Sequence, residues 1–328
     1  MRIAVLGGGS WATAIVKILS NNCDTVTWWM RNKEALEHIK RFKHNPNYLP
    51  SAELDVDKLD ITNDLVAAVA SVDYVVIATP SAFLVDMFTD FPPSTFEGKI
   101  VFSAVKGIIP EHHSIPARYL HKQFGVPYEN IGIISGPCHA EEVAQEKLSY
   151  LTLACQTEEY AKQMATLLSC RYIKTSTSDD LFGTELSAVL KNVYSVACGI
   201  CHGLGYGDNF QAVLVASAIC EIERFVDAVH DLHRDVKTSA YLGDLLVTAY
   251  SQFSRNRTFG SMIGRGYSVK SAMFEMNMVA EGYYAVNSII EMNKRFQVEL
   301  PICEAVYNIV YEKISPVVEM RILADKLS

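Results

Sequence analysis

An apolar strand, a glycine turn and a helix follow one another directly at the start of the chain. That order narrows the folds open to it more than any other feature. Residues 2–6 (RIAVL) read as a buried strand. Gly7-Gly8-Gly9-Ser10-Trp11-Ala12 follows and fits G-x-G-x-x-[GA], and residues 11–19 continue as a helix. In that setting Gly7 permits the tight turn and Gly9 lets the backbone approach a pyrophosphate. Ala12 lets the helix pack closely on the sheet. The N–H groups of the first helical turn then face the phosphates, with the helix dipole favouring negative charge. A plain glycine turn would require neither the strand before it nor the helix after it. The opening therefore predicts a dinucleotide site.

The next 160 or so residues keep the same rhythm. Further strands are expected at 25–29, 74–78, 100–104, 131–134 and 151–154. Helices are expected at 33–41, 64–70, 82–90, 115–123 and 158–168. Such alternation indicates a doubly wound, mostly parallel sheet with helices on both faces. Near residue 178 the pattern changes. Leu186, Val189, Leu190, Val193, Val196 and Ile200 recur at helical spacing. Segments 212–229, 244–253 and 280–294 also read as helices, with another between 301 and 314. The 328 residues also exceed one ordinary core. The expected fold is an α/β doubly wound (Rossmann-like) N-terminal domain, residues 1–178, plus an all-α C-terminal domain, residues 179–328.

The formal net charge of -8 argues against a general nucleic-acid binder, since phosphate backbones would be repelled outside a local basic site. No stretch reaches the ~18 consecutive apolar residues that span a bilayer, and the N-terminal apolar run is too short for a signal peptide. A soluble, cytoplasmic protein is expected. The eight cysteines are scattered through apolar segments, as buried thiols are in a reducing compartment. Cys198-Gly-Ile-Cys201-His202 spells the haem-attachment pattern C-x-x-C-H. Haem attachment would need export, and no second pair completes a zinc site. The tract reads as a tightly packed helix end, and no metal is expected.

Three further features bear on chemistry. After the second strand come Met30, Arg31 and Asn32, with no acid to grip a ribose 2′-hydroxyl. Arg31 could instead meet a 2′-phosphate, which favours NADP(H) or tolerance of NADP(H) and NAD(H) alike; the alternative is an ordinary exposed arginine. Between 181 and 202 the only charged residues are Glu185 and Lys191, so this helix should be largely buried. Lys191 shares a face with Thr184, Ser187 and Ser195. It is either a proton-transfer lysine or one snorkelling to the surface. From 245 to 274 there is no Asp or Glu, while Arg255, Arg257, Arg265 and Lys270 fall inside. Ser254-Arg255-Asn256-Arg257 offers the donors a phosphate takes; the alternative is a solvated basic loop.

Taken in order, these segments resemble the bacterial NAD(P)-dependent glycerol-3-phosphate dehydrogenases. GGGSWATA is similar to the family's GxGSWGTA, and Asn45-Pro46-Asn47-Tyr48-Leu49-Pro50 to its NxxYLP loop. Ala78-Thr79-Pro80-Ser81 and Lys106-Gly107 match its A-x-P-S turn and KG pair. Residues 135–143, SGPCHAEEV, resemble SGPSFAxEV. Glu185-Leu186 through Lys191-Asn192-Val193 match ELxxxxKNV, and residues 203–209 match GLGxGDN. Then come Leu242-Gly243-Asp244-Leu245, Ser254-Arg255-Asn256-Arg257 and Val279-Ala280-Glu281-Gly282. The resemblance runs from residue 3 past residue 310.

The resemblance implies that Lys191 is catalytic. It implies that Lys106, Gly136, Cys138, Lys191, Asp244, Ser254, Arg255 and Asn256 line the substrate site. Besides Gly7, Gly9 and Ala12, it implies cofactor contacts from Ser10, Trp11, Arg31, Tyr48, Lys106, Ala140, Arg255, Val279 and Glu281. It further implies hydride transfer between NAD(P)H and dihydroxyacetone phosphate, giving sn-glycerol 3-phosphate for glycerophospholipid synthesis. The partner is a small phosphorylated molecule, and a homodimer is compatible with it. Cys138 stands where the family has a hydroxyl, which weakens a substrate hydrogen bond from that side chain, and His139 stands where it has an aromatic ring. Two other readings stay open at this point: a dehydrogenase of β-hydroxyacids or ketoacids, and a nucleotide-sensing regulator without turnover.

Overall fold

The structure, a computed structural model, describes residues 1–276 and 280–327. The chain forms two compact units. The first comprises Met1–Val105 and Pro116–Leu181, the second Lys106–Ile115 and Phe182–Ser328.

The first unit is built on an eight-stranded sheet in the order β3-β2-β1-β4-β5-β6-β7-β8. Its strands are β1 (Ile3–Leu6), β2 (Val26–Trp29), β3 (Leu59–Thr62), β4 (Tyr74–Ile77), β5 (Ile100–Ser103), β6 (Ile131–Ser135), β7 (Ser149–Cys155) and β8 (Ile173–Ser178). The first six run parallel in the doubly wound order 3-2-1-4-5-6. The helices of this unit are α1 (Ser10–Leu19), α2 (Lys33–Phe42), α3 (Leu65–Ala70), α4 (Leu84–Met87), α5 (Pro116–Phe124), α6 (Ala140–Ala144) and α7 (Glu158–Leu168). β7 pairs antiparallel with β6. Only the five-residue α6 lies between them, too short for the helical crossover a parallel pair needs. β1, β2 and β4 are buried at every position, so they read as unbroken apolar runs.

Two strands had no clear signal. β3 (LDIT) buries only Ile61, and β8 (IKTSTS) only Ile173. Both are sheet edges, where one face and one side meet solvent and apolar periodicity fades. The helix expected at 82–90 is a 3-10 turn (Ser81–Phe83) followed by the single turn of α4.

In the second unit the regular elements among the described residues are helices. They are α8 (Leu181–Gly203), α9 (Asp208–Val229), α10 (Asp244–Tyr250), α11 (Arg255–Gly264), α12 (Val269–Glu275), α13 (Glu281–Phe296), α14 (Pro301–Val310) and α15 (Pro316–Ala324). The segment Lys106–Ile115 joins them because Ile108 and Ile115 sit in their core. α8 is its axis. Leu186, Val189, Leu190, Val193, Val196 and Ile200 are all fully buried. Helices α11, α12 and α15 were not expected. The basic segment, whose alternative reading was a solvated loop, begins a helix.

α8 and α11 cross with almost no side chain between them. A Cβ on Gly199 would lie 2.1 Å from the Arg257 carbonyl oxygen, and one on Gly260 would lie 2.1 Å from that of Val196. Gly203 and Gly264 meet the opposite backbones at 2.4 and 2.3 Å in the same sense. The C-x-x-C-H tract is therefore part of a helix contact. Burial pushes the Cys198 and Cys201 thiols up to about 12, far from reactive thiolates. Among the described residues, no helix is long and apolar enough to cross a membrane.

Candidate active site

The glycine turn takes the shape its sequence anticipates. Gly7 has φ +140°, and a Cβ there would sit 2.4 Å from the Ala78 carbonyl oxygen, so no other residue fits. A Cβ on Gly9 would meet nothing within 4 Å, leaving the approach to the α1 N-terminus open. Gly9 caps α1 without a side-chain bond, and the first turn carries no acid. The fully buried Ala12 lies against the core of this unit. Ser10 and Trp11 open the helix. A ten-residue helix whose N-cap glycine leaves room beside it, with no side-chain cap and no acid in its first turn, suits a pyrophosphate. These residues fit the dinucleotide that the fingerprint implies.

A buried asparagine braces this turn, and its part was not anticipated. Asn45 is 1% exposed. Its amide donates to the Gly8 carbonyl at 3.1 Å and to the Thr13 hydroxyl at 2.9 Å. Its oxygen accepts from the Asn47 and Tyr48 N–H groups at 3.0 and 3.3 Å. The Asn-Pro loop is thus tied to the cofactor turn, with the Tyr48 ring left outside. At the end of β2, Arg31 is exposed, and the neighbouring Asn32 side chain is occupied in capping α2. No carboxylate stands between Trp29 and Asn32.

Gly136, Cys138 and Ala140 also belong to the first unit. Gly136 has φ +108°, and a Cβ there would come 2.8 Å from the Tyr150 carbonyl oxygen. Cys138 and Ala140 are buried just beyond it.

The second unit gathers the charged residues. Lys191 is 4% exposed on the buried α8, so it does not snorkel. Its ammonium pairs directly with Asp244 Oδ1, and Lys106 Nζ lies 3.8 Å from Asp244 Oδ2. One buried carboxylate thus serves two lysines. Burial pushes Lys191 down to about 7, and the Lys106 charge adds to the effect while Asp244 opposes it. That value suits a group that must both give and take a proton near neutrality.

Asn192, next in sequence, connects this cluster to its surroundings. Its amide donates to the Lys106 carbonyl at 2.5 Å and its oxygen accepts from the Asn256 amide at 2.9 Å. Asn256 in turn accepts from the Gly282 N–H at 2.9 Å. One turn along α8, the Ser195 hydroxyl donates to the Thr248 carbonyl at 2.9 Å and meets the Ser254 hydroxyl at 2.8 Å. Ser254 also caps α11 by accepting from the Arg257 N–H.

The Ser254 hydroxyl and Asn256 amide are therefore engaged internally. What α11 offers an anion is the N–H groups of Arg255 and Asn256, which helix geometry leaves unpaired, and the exposed Arg255 guanidinium. Glu281 begins α13, half-buried; Val279 lies outside the described residues. Lys106, Lys191, Asp244, Ser254 and Asn256 are thus brought together within one unit. The linking roles of Asn192 and Ser195, and the glycines of the α8–α11 crossing, were not anticipated. The two G-x-x-x-G spacings, 199/203 and 260/264, were the signal for the last of these.

The chain is similar to known proteins over nearly its whole length. The N-terminal model of NAD-dependent glycerol-3-phosphate dehydrogenase matches residues 2–161, and the C-terminal model matches residues 180–321. A glycerol-3-phosphate dehydrogenase [NAD(P)+] of Salinibacter ruber is 35% identical over 96% of this chain and 91% of its own. One from Staphylococcus aureus is 33% identical over 96% of this chain and 95% of its own. The crystal structure of the Coxiella burnetii enzyme superposes with a TM-score of 0.91 at 27% identity, covering 99% of this chain and 98% of that one. The chain belongs to the NAD-dependent glycerol-3-phosphate dehydrogenase family.

Proposed function

We propose that this protein interconverts dihydroxyacetone phosphate and sn-glycerol 3-phosphate with NAD(P)(H). The observation that carries the reading is the buried Lys191–Asp244 pair with the half-buried Lys106 beside it, linked by hydrogen bonds to the start of α11. When bound, the reduced nicotinamide supplies the hydride that the C2 carbonyl carbon requires. Lys191 holds a proton at Nζ and delivers it to the C2 oxygen as that oxygen becomes an alkoxide. Lys106 polarises the same oxygen. Asp244 orients both ammonium groups and balances their charge. The substrate phosphate lies on the Arg255 and Asn256 N–H groups and the Arg255 guanidinium. In the reverse direction Lys191 takes the hydroxyl proton. sn-Glycerol 3-phosphate is the backbone of glycerophospholipids, and the reading extends to their supply.

The reading includes the cytoplasm as compartment, which cysteines not joined in disulfides among the described residues suit. It also includes a homodimer, supported by the exposed Leu246, Tyr250 and Phe253 on and just beyond α10. The test is oxidation of NADPH, followed by absorbance, with dihydroxyacetone phosphate, unphosphorylated dihydroxyacetone and a keto acid in parallel. Turnover with the first substrate alone is expected. A preference for the keto acid would establish the rival dehydrogenase, and NADPH binding without turnover would establish the regulator.

Cofactor choice gives a separate prediction. Because Arg31 stands where no acid does, NADPH should serve at least as well as NADH. Arg31→Ala should raise KM for NADPH more than for NADH. Equal effects on the two would remove Arg31 from the 2′-phosphate.

A further inference from the structure

Two histidines face each other beside the loop that braces the glycine turn. His38 lies on α2, and His44 follows Lys43, whose φ of 61° turns the chain back at the helix end. Both are half-buried. Their Nε2 atoms are 3.2 Å apart, with the ring planes at 86°. His44 Nδ1 lies 3.3 Å from the Phe42 carbonyl oxygen. A carbonyl only accepts, so Nδ1 carries the proton and Nε2 accepts from the His38 Nε2–H; an ion takes the place of that hydrogen bond when His38 moves its proton to Nδ1. Metal-binding histidines are oriented in this way, one nitrogen donating to a carbonyl and the other left to coordinate. The Phe42 ring, 4.6 Å from that of His38, holds the second imidazole in place.

The nitrogen spacing has a chemical meaning. A tetrahedral ion with bonds of ~2.0–2.1 Å holds two nitrogens roughly 3.3–3.4 Å apart. The observed pair is already near that separation.

We propose that His38 and His44 form a two-histidine clamp for a divalent transition-metal ion, Zn2+ being the probe of choice. Imidazole ligands suit zinc, nickel and copper rather than magnesium or calcium. No group of three or more His, Cys, Asp or Glu suited to a metal occurs among the described residues, so water completes the coordination and the site exchanges readily. Binding has a structural consequence. His44 directly precedes Asn45, which grips Gly8 and Thr13. An ion that fixes His44 against α2 therefore stiffens the loop bracing the cofactor turn, and NADPH binding should tighten. This coupling, unlike the binding itself, rests on the cofactor reading above.

The experiment uses the full chain carrying Cys220→Ser, which removes the exposed thiol as a competing ligand. Zn2+ binding is measured by calorimetry and by the thermal midpoint, with His38→Gln and His44→Gln compared in the same background. Each substitution should weaken binding about tenfold or more, since losing a ligand exceeds the 10–100-fold effect of losing its outer partner. Zn2+ should raise the thermal midpoint of the parent and of neither variant. Unchanged Zn2+ affinity in both variants would overturn the clamp. NADPH titration with and without Zn2+ tests the coupling. Tighter binding that disappears in His44→Gln supports it, and identical binding with the ion bound refutes it. Failure to bind NADPH under either condition would strike at the proposed function, and the zinc measurements would still decide the clamp.

Discussion

Lys191→Met should lose about 10²–10⁴-fold in kcat, the typical contribution of a positioned general acid. Methionine fills a similar volume in the buried α8, so the fold should survive. NADPH binding should survive as well, because the glycine fingerprint belongs to the other unit. Arg255→Ala should differ, raising KM for the phosphorylated substrate with a smaller effect on kcat.

The pH dependence has a definite sign. Ketone reduction needs Lys191 protonated, so its rate should fall as pH rises through about 7. Oxidation of glycerol 3-phosphate needs it neutral and should rise through the same range. The folded state holds this lysine below its ordinary 10.5, so between about 7 and 10.5 the unfolded chain binds more protons. The lysine's contribution to stability therefore grows across that window. A folded Lys191→Met with near-normal kcat would make Lys191 a structural residue and end the mechanism.

Gly260→Ala should be the most damaging small substitution outside the charged cluster. The added methyl would sit 2.1 Å from the Val196 carbonyl oxygen and 2.9 Å from the Ile200 nitrogen. Both are main-chain atoms of a buried helix and cannot rotate aside. Ordinary carbon–oxygen contacts lie at ~3.3–3.6 Å, so α8 and α11 must part by roughly an ångström. Overpacking of this kind costs about 1–3 kcal/mol or more. It outweighs the gain of about 1 kcal/mol from alanine's helix propensity. The separation also pulls on the Asn192–Asn256 and Ser195–Ser254 hydrogen bonds. Thermal unfolding should shift down by several degrees, and KM for dihydroxyacetone phosphate should rise in the protein that remains folded. An unchanged midpoint and KM would show that the helices slide apart freely and that their close crossing does not place the anion site.

The sequence by itself determined the alternating first half, the helical second half and the cofactor turn. Each depends on signals a few residues apart: the period of the apolar positions, and the order of strand, glycines and helix. It also marked Lys191, because a lone lysine in a helix with so little charge must be paired or shifted. Tertiary structure decided the rest, since it depends on partners distant in sequence. β3 and β8 are strands because a neighbouring strand offers its hydrogen bonds, not because their own residues alternate. Lys106 joins the helices through Asn192, 86 positions away, and through the still more distant Asp244. Ser254 and Asn256 read as free phosphate donors until their internal bonds are seen. Composition cannot reveal that a donor is already occupied. Paired glycines acquire meaning only when a second helix lies 2–3 Å from where their side chains would be.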